Sequence, residues 1–311
     1  MGSYHPAATY RLQFHEDFTF RDAAKAVSYL AKLGIRTLYA SPVFQAAAGS
    51  AHGYDVTVPD ALNKALGDEE DLSSLIAALH RRKMGWLQDV VPNHMSFSTE
   101  IPWIADLLTR GRSSSYYGTF DLYDDHPDEE LRRGIMFPFL GKPVGQVIRE
   151  GKMTLQIGRK GFYFSYYSHV LPVSMEALPA VLETGMDNEL PSGLLDLLHG
   201  EVETDRWETR MEELFGDYER GAELSGYLDR CLDRINADPE LIRLILSRLS
   251  YLPVHWKETE QRINYRRFFT INGLICLNIQ DPAVFERYHR RIGEWVNKGW
   301  FDGLRIDHID G

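Results

Sequence analysis

Arg305, Asp307 and His308 fall within four positions of one another at the end of "WFDGLRID", a run that reads as a buried strand over Phe301 to Ile306. Asp89, Asn93 and His94 close a second such run, "WLQDVVPNH", and His52, Tyr54 and Asp55 follow a third, "IRTLYAS", which Pro42 ends. A carboxylate at a strand mouth can attack an electrophilic carbon or move a proton. A guanidinium two residues before it shares its face of the strand and favours its charged form. One histidine or aspartate ending a strand is ordinary structure. Three strand ends so equipped, each with a Gly or Pro shaping the turn, make a candidate site.

The elements that must position these residues alternate over the first ninety positions. "AATYRLQF" fits a strand. "TFRDAAKAVSYLAKLG" fits a helix with Thr19 as N-cap, Asp22 at the third helical position, an apolar stripe of Ala23, Ala26, Val27, Leu30 and Leu33, and Gly34 at the C-terminal cap. "DEEDLSSLIAALHRRKMG" fits a second helix, acidic in its first turn and basic in its last. Strand, helix, strand, helix, strand implies right-handed βα units and a parallel sheet. From Met95 to Arg267 the rhythm is lost. "SSSYYGTFDLYDDHPDEE" is polar and turn-rich, and "MTLQIGRKGFYFSYYS" reads as a hairpin with "GRKG" at or near its turn. "SMEALPAVLETG", "LPSGLLDLLHG", "WETRMEELFGDYERGAELSGYLDRCLDRI" and "DPELIRLILSRLSYL" read as helices, the last capped by Asp238 with Pro239 first. The rhythm returns in "DPAVFERYHRRIGEWVNKG", whose stripe is Val284, Phe285, Tyr288, Ile292, Trp295 and Val296. The expected organisation is three βα units over 1–95, a large, mainly helical insertion over 96–267, and a helix and fourth strand over 268–311.

Bulk composition narrows the partners. With 34 basic and 45 acidic residues the formal charge is -11, which disfavours nucleic acid and anionic membrane but not a neutral ligand such as a sugar. Cys231 and Cys276 form neither a disulfide framework nor a metal motif. No basic segment followed by an apolar one opens the chain, and no apolar run approaches the roughly 18 residues of a membrane span, so a soluble cytoplasmic protein is expected. Phosphate loops, dinucleotide fingerprints and dense oxygen-ligand clusters are absent from the sequence, so no cofactor and no required metal are expected.

In order on consecutive strands, "DVVPNH" and "GLRIDH" resemble the first two signatures of the α-amylase superfamily of glycoside hydrolases and transglycosylases. "ATYRLQF", "GSAHGYDV", "DVVPNHMS", "INYRRFF" and "GLRIDHIDG" together are similar to a transglycosylating branch of it, across most of residues 7–311 and least over 105–250. The resemblance implies an α/β fold made of the first four strands of a (β/α)8 TIM barrel, with the insertion after the third. It implies a malto-oligosaccharide substrate whose reducing-end α-1,4 linkage becomes α,α-1,1. Asp307 then matches the nucleophile of a retaining mechanism, with Arg305 keeping it ionised. His94 and Tyr54 match sugar contacts in the reactive subsite, the tyrosine by stacking. Asn93 and Asp89 match residues that shape the loop, and Asp55 could pair with an arginine at the subsite's far wall. His52 and His308 either touch sugar or brace a neighbour, while Arg266 and Arg267 read as structural. In the family an acid/base glutamate ends the fifth strand and another aspartate follows the seventh. The chain stops after the fourth strand, so the expectation is a truncated part, with unpaired strand edges that invite self-association. Two other readings stay open, an α-glucan hydrolase of the same superfamily and a glucan-binding fragment without catalysis.

Overall fold

The computed structural model describes residues 5–185, 191, 194–195, 206–215 and 222–309. The chain divides into two compact units, Met1–Phe97 with Arg267–Gly311, and Ser98–Arg266.

The first unit is built on four parallel strands lying side by side in chain order, Thr9–Leu12, Thr37–Ala40, Gly85–Val90 and Gly303–Ile306. Parallel neighbours need a crossover, and the helices Phe20–Lys32, Glu69–Arg81 and Pro282–Asn297 precede the second, third and fourth strands. Local chemistry starts each helix. The Thr19 backbone N–H and hydroxyl both donate to Asp22 Oδ2, at 3.1 and 2.7 Å. Asp68 Oδ1 accepts from the Asp71 N–H at 2.9 Å, and Asp281 accepts from the Ala283 N–H at 2.8 Å beside Pro282. Gly34, at φ 85°, takes the left-handed turn that ends the first helix. The core stacks rings between strands and helices. Trp86 lies between Phe14 and Phe301, at 5.9 and 5.8 Å, and Trp295 stacks on Phe44 at 5.4 Å.

Several expectations need correction here. Leu33, Phe285 and Val296 belong to the anticipated stripes but are exposed. Each helix packs on one side only, so the buried stripe narrows to Ala23, Val27 and Leu30 in the first and to Val284, Tyr288, Ile292 and Trp295 in the third. The strand expected to be buried over Phe301 to Ile306 is not: Phe301 is buried, but Leu304 and Ile306 are 40% and 42% exposed. Among the described residues this strand pairs on one side only, with Gly85–Val90. The segment after Pro42, for which no strand was expected, contains an antiparallel pair, Phe44–Ala46 with Val56–Leu62. A second short antiparallel pair joins His94–Ser96 to Leu274–Cys276.

Among the described residues the second unit carries two small sheets besides its helices. The anticipated hairpin runs Thr154–Gly158 and Gly161–Tyr166 with Arg159 and Lys160 at its turn, and His169–Pro172 adds a third antiparallel strand. Ile135–Leu140 pairs in parallel with Tyr251–His255. Gly134 enters that pair where the backbones nearly touch: a Cβ there would lie 2.0 Å from the Ser250 carbonyl oxygen. The helices are Pro102–Arg110, Val144–Arg149, Leu178–Glu183, Trp207–Phe215, Ala222–Ala237 and Pro239–Ser247. Most of the helix expected over 190–200 lies outside the described residues, as does 216–221 of the next one. Among the described residues no helix is long and apolar enough to cross a membrane.

Candidate active site

Strand register gathers the site. Arg11 sits beside Tyr39 on the neighbouring strand, Tyr39 beside Leu87, and Asp89 beside Arg305. Leu87 and Asp89 are two residues apart and share a face, so Arg11, Tyr39, Asp89 and Arg305, one from each strand, all lie on that face. Asp89 is its centre. The side chain is 0% exposed, and a carboxylate buried so completely needs donors. Its Oδ2 accepts from Tyr54 Oη at 2.5 Å and Tyr39 Oη at 2.8 Å, and its Oδ1 accepts from Arg305 Nη1 at 3.0 Å. The same Arg305 nitrogen donates to Asp307 Oδ1. The Asp307 backbone N–H donates to the Val90 carbonyl at 2.8 Å, which continues the strand pairing and leaves the carboxylate at the strand's end, partly open to solvent.

Protonation states follow from these contacts. Burial, and next the bond to Asp89, push the Tyr54 hydroxyl up to about 12 and raise that of Tyr39, so both stay donors. Burial works against the Arg305 cation, but the bond to Asp89 outweighs it and the guanidinium holds its proton more tightly than in water. His94, only 1% exposed, is held down at about 4 by burial, against the pull of Asp307, and is a neutral imidazole near pH 7. Its Nδ1 lies 3.4 Å from Asn93 Nδ2. Its Nε2 is buried without a hydrogen bond of good geometry among the described residues, although the Tyr54 backbone is close enough to favour the protonated form.

The remaining sequence-derived residues surround this chain of bonds. His52 Nδ1 accepts from the Tyr54 N–H at 3.0 Å and lies 3.8 Å from Asp55. Asp55 also accepts from Ser50 Oγ, so its partners are Ser50 and His52 rather than the arginine anticipated. The tight turn at Gly53 brings these near neighbours within reach and satisfies the carboxylate locally. Asn93 is buried, its carbonyl accepting from the Leu277 N–H at 2.9 Å and its Nδ2 facing Cys276 Sγ at 3.5 Å. Phe268 packs between His94, at 4.2 Å, and His308, at 4.9 Å. In the second unit Arg266 pairs with Asp121 at 2.8 Å, and in the first Arg267 donates to Asn272. Among the described residues no group of three or more His, Cys, Asp and Glu is placed to hold a metal ion.

Two members of the network, Arg11 and Tyr39, were not among the candidates read from the sequence. Their signal was available in "TYRLQ" and "TLYAS", where a polar residue stands mid-strand in period two with the strand end. Together the face offers a fixed carboxylate sharing a cation, a tyrosine anchored by its hydroxyl and a neutral imidazole. That set suits attack on a neutral, oxygen-rich ligand.

Residues 22–130 match the family described as alpha amylase, catalytic domain. A Mycobacterium tuberculosis protein named as a maltooligosyl trehalose synthase is 30% identical over 314 residues, covering 98% of this chain and 31% of its own length. The solved maltooligosyltrehalose synthase of Arthrobacter ramosus is 30% identical, with a TM-score of 0.69 over 97% of this chain and 31% of that one. A solved glycosyltrehalose synthase is 31% identical, with a TM-score of 0.70 over 97% of this chain and 33% of that one. The chain thus spans about a third of the length of these relatives. Its α/β fold is similar to part of these solved structures. Over nearly its whole length the chain is similar to proteins named as maltooligosyl trehalose synthases, and its residues 22–130 match the alpha amylase catalytic domain.

Proposed function

We propose that the chain forms part of the catalytic barrel of an enzyme that converts the reducing-end α-1,4 linkage of a malto-oligosaccharide to α,α-1,1 by intramolecular transglycosylation. The observation that carries the reading is Arg305 bridging Asp89 and Asp307 at the end of a parallel strand. The named relatives supply the chemistry. In this reading the four strands are the first half of a (β/α)8 barrel, and residues 98–266 are inserted after the third.

Asp307 attacks the anomeric carbon, a bond forms from its carboxylate oxygen, and the bond to the O4 of the terminal glucose breaks. That oxygen takes a proton from a second carboxyl group, a role assigned to no residue of this chain. The freed glucose turns, its 1-hydroxyl attacks the same carbon, and Asp307 leaves while the hydroxyl proton returns to the second carboxyl. Arg305 holds the Asp307 carboxylate in place by a hydrogen bond, Tyr54 stacks under the ring, and neutral His94 hydrogen-bonds a sugar hydroxyl. Asn93 fixes the turn before His94, His52 and Asp55 brace the Tyr54 loop, and His308 contacts Phe268 beside the nucleophile.

Incubating the natural full-length protein with maltopentaose tests the reading: reducing ends should vanish, whereas hydrolysis would multiply them. Asp307→Asn should lower kcat by about a thousandfold or more while maltopentaose affinity stays within a few-fold, because the nucleophile acts in the transition state. A variant that kept a tenth of the wild-type rate would remove Asp307 from the role.

A further inference from the structure

Asp89 Oδ2 holds two hydroxyl donors and Oδ1 holds a guanidinium nitrogen that also serves Asp307. A buried carboxylate that loses one donor draws harder on those that remain. The donor it would draw on is Arg305, and the group that would lose it is Asp307. Tyr39 therefore bears on the nucleophile without touching it. Arg11 acts from the far edge of the same face. Its guanidinium lies 5.5 Å from the centre of the Tyr39 ring and donates to Tyr54 Oη at 3.3 Å and to Gln13 Oε1 at 2.9 Å. Gln13 in turn donates toward the carbonyls of Ala51 and His52, at 3.2 and 3.3 Å. Arg11, on the first strand, and Gln13, just past its end, thus moor the loop that delivers Tyr54.

We infer that Arg11 and Tyr39 are positioning residues of the candidate site: they fix the Tyr54 hydroxyl and the Asp89 carboxylate so that Arg305 remains shared between Asp89 and Asp307. The inference rests on the proposed role of Asp307 and extends it to two residues that act through Tyr54 and Asp89.

The test compares wild type, Tyr39→Phe, Arg11→Lys and Arg11→Ala in the natural full-length protein, with maltopentaose as substrate and Asp307→Asn as control. Tyr39→Phe removes one hydrogen bond to a charged group and should lower kcat by about 10- to 100-fold with KM within about threefold. Arg11→Ala should raise KM as well, since the Tyr54 loop is released, and Arg11→Lys should restore part of the loss by keeping a cation over the Tyr39 ring. Should Tyr39→Phe fail to fold, the two Arg11 variants carry the same comparison. An unchanged kcat, KM rising in step with the loss of kcat in Tyr39→Phe, or a loss that follows thermal stability across the variants with no rescue by Arg11→Lys, overturns the inference. If Asp307→Asn itself turns over normally, the assignment of the nucleophile is what fails.

Discussion

At the scale of single residues, His94 ties the site to stability. It is neutral because it is buried, while Asp307, Asp55 and the Tyr54 backbone favour its protonation and His308 opposes it. Its proton affinity in the fold, about 4, is below the ordinary histidine value of 6.5, so the unfolded chain binds the proton first as pH falls. Stability should be full above about pH 6.5 and lost between there and about 4, at up to roughly 1.4 kcal/mol per unit. Urea unfolding at pH 7 and pH 5 should show this loss in wild type and a smaller one in His94→Asn; equal losses would place the cause elsewhere. Arg305, Asp307 and His94 were legible in the sequence because each stands in a short string with its own chemistry. Arg11 and Tyr39 were not, because their value lies in register with Asp89, some fifty and more residues away, and register is not written in either string alone.

At the scale of elements, the helices were the legible part. Each of the three helices between the parallel strands begins at an acid or hydroxyl whose partner lies two or three residues on, so the signal is local. Asp68→Ala should remove the cap of Glu69–Arg81 and destabilise the first unit by about 1 kcal/mol, measured as a shift in the urea midpoint at constant m-value. A change within a few tenths would show that the reciprocal Asp71 bond suffices. The short strands were the illegible part. Phe44–Ala46 and Leu274–Cys276 are three residues long, too short to show a period, and the second pairs with His94–Ser96, which starts a separate strand beyond the Gly85–Val90 strand whose run was read as reaching His94. Gly303–Ile306 misled differently: its apolar alternation is that of a strand covered on both faces, whereas Leu304 and Ile306 meet solvent.

At the scale of the molecule, the division into two units predicts that damage can be confined to one. Gly134→Ala drives a methyl group into the Ser250 carbonyl and should cost the second unit about 3 kcal/mol. Hydrogen exchange should quicken in Ile135–Leu140 and Tyr251–His255 while Gly85–Val90 keeps its protection; uniform acceleration would mean that the two units unfold together. The pairing of His94–Ser96 with Leu274–Cys276 has a kinetic meaning as well. These two segments flank residues 98–266 in the chain, and joining them across an unfolded stretch of that length carries a heavy loop-closure entropy. A second unit that folds first replaces the long random walk with a short, rigid span. The Arg305–Asp89 bond, which also joins segments on either side of that stretch, would then form faster in molecules whose other unit had already folded.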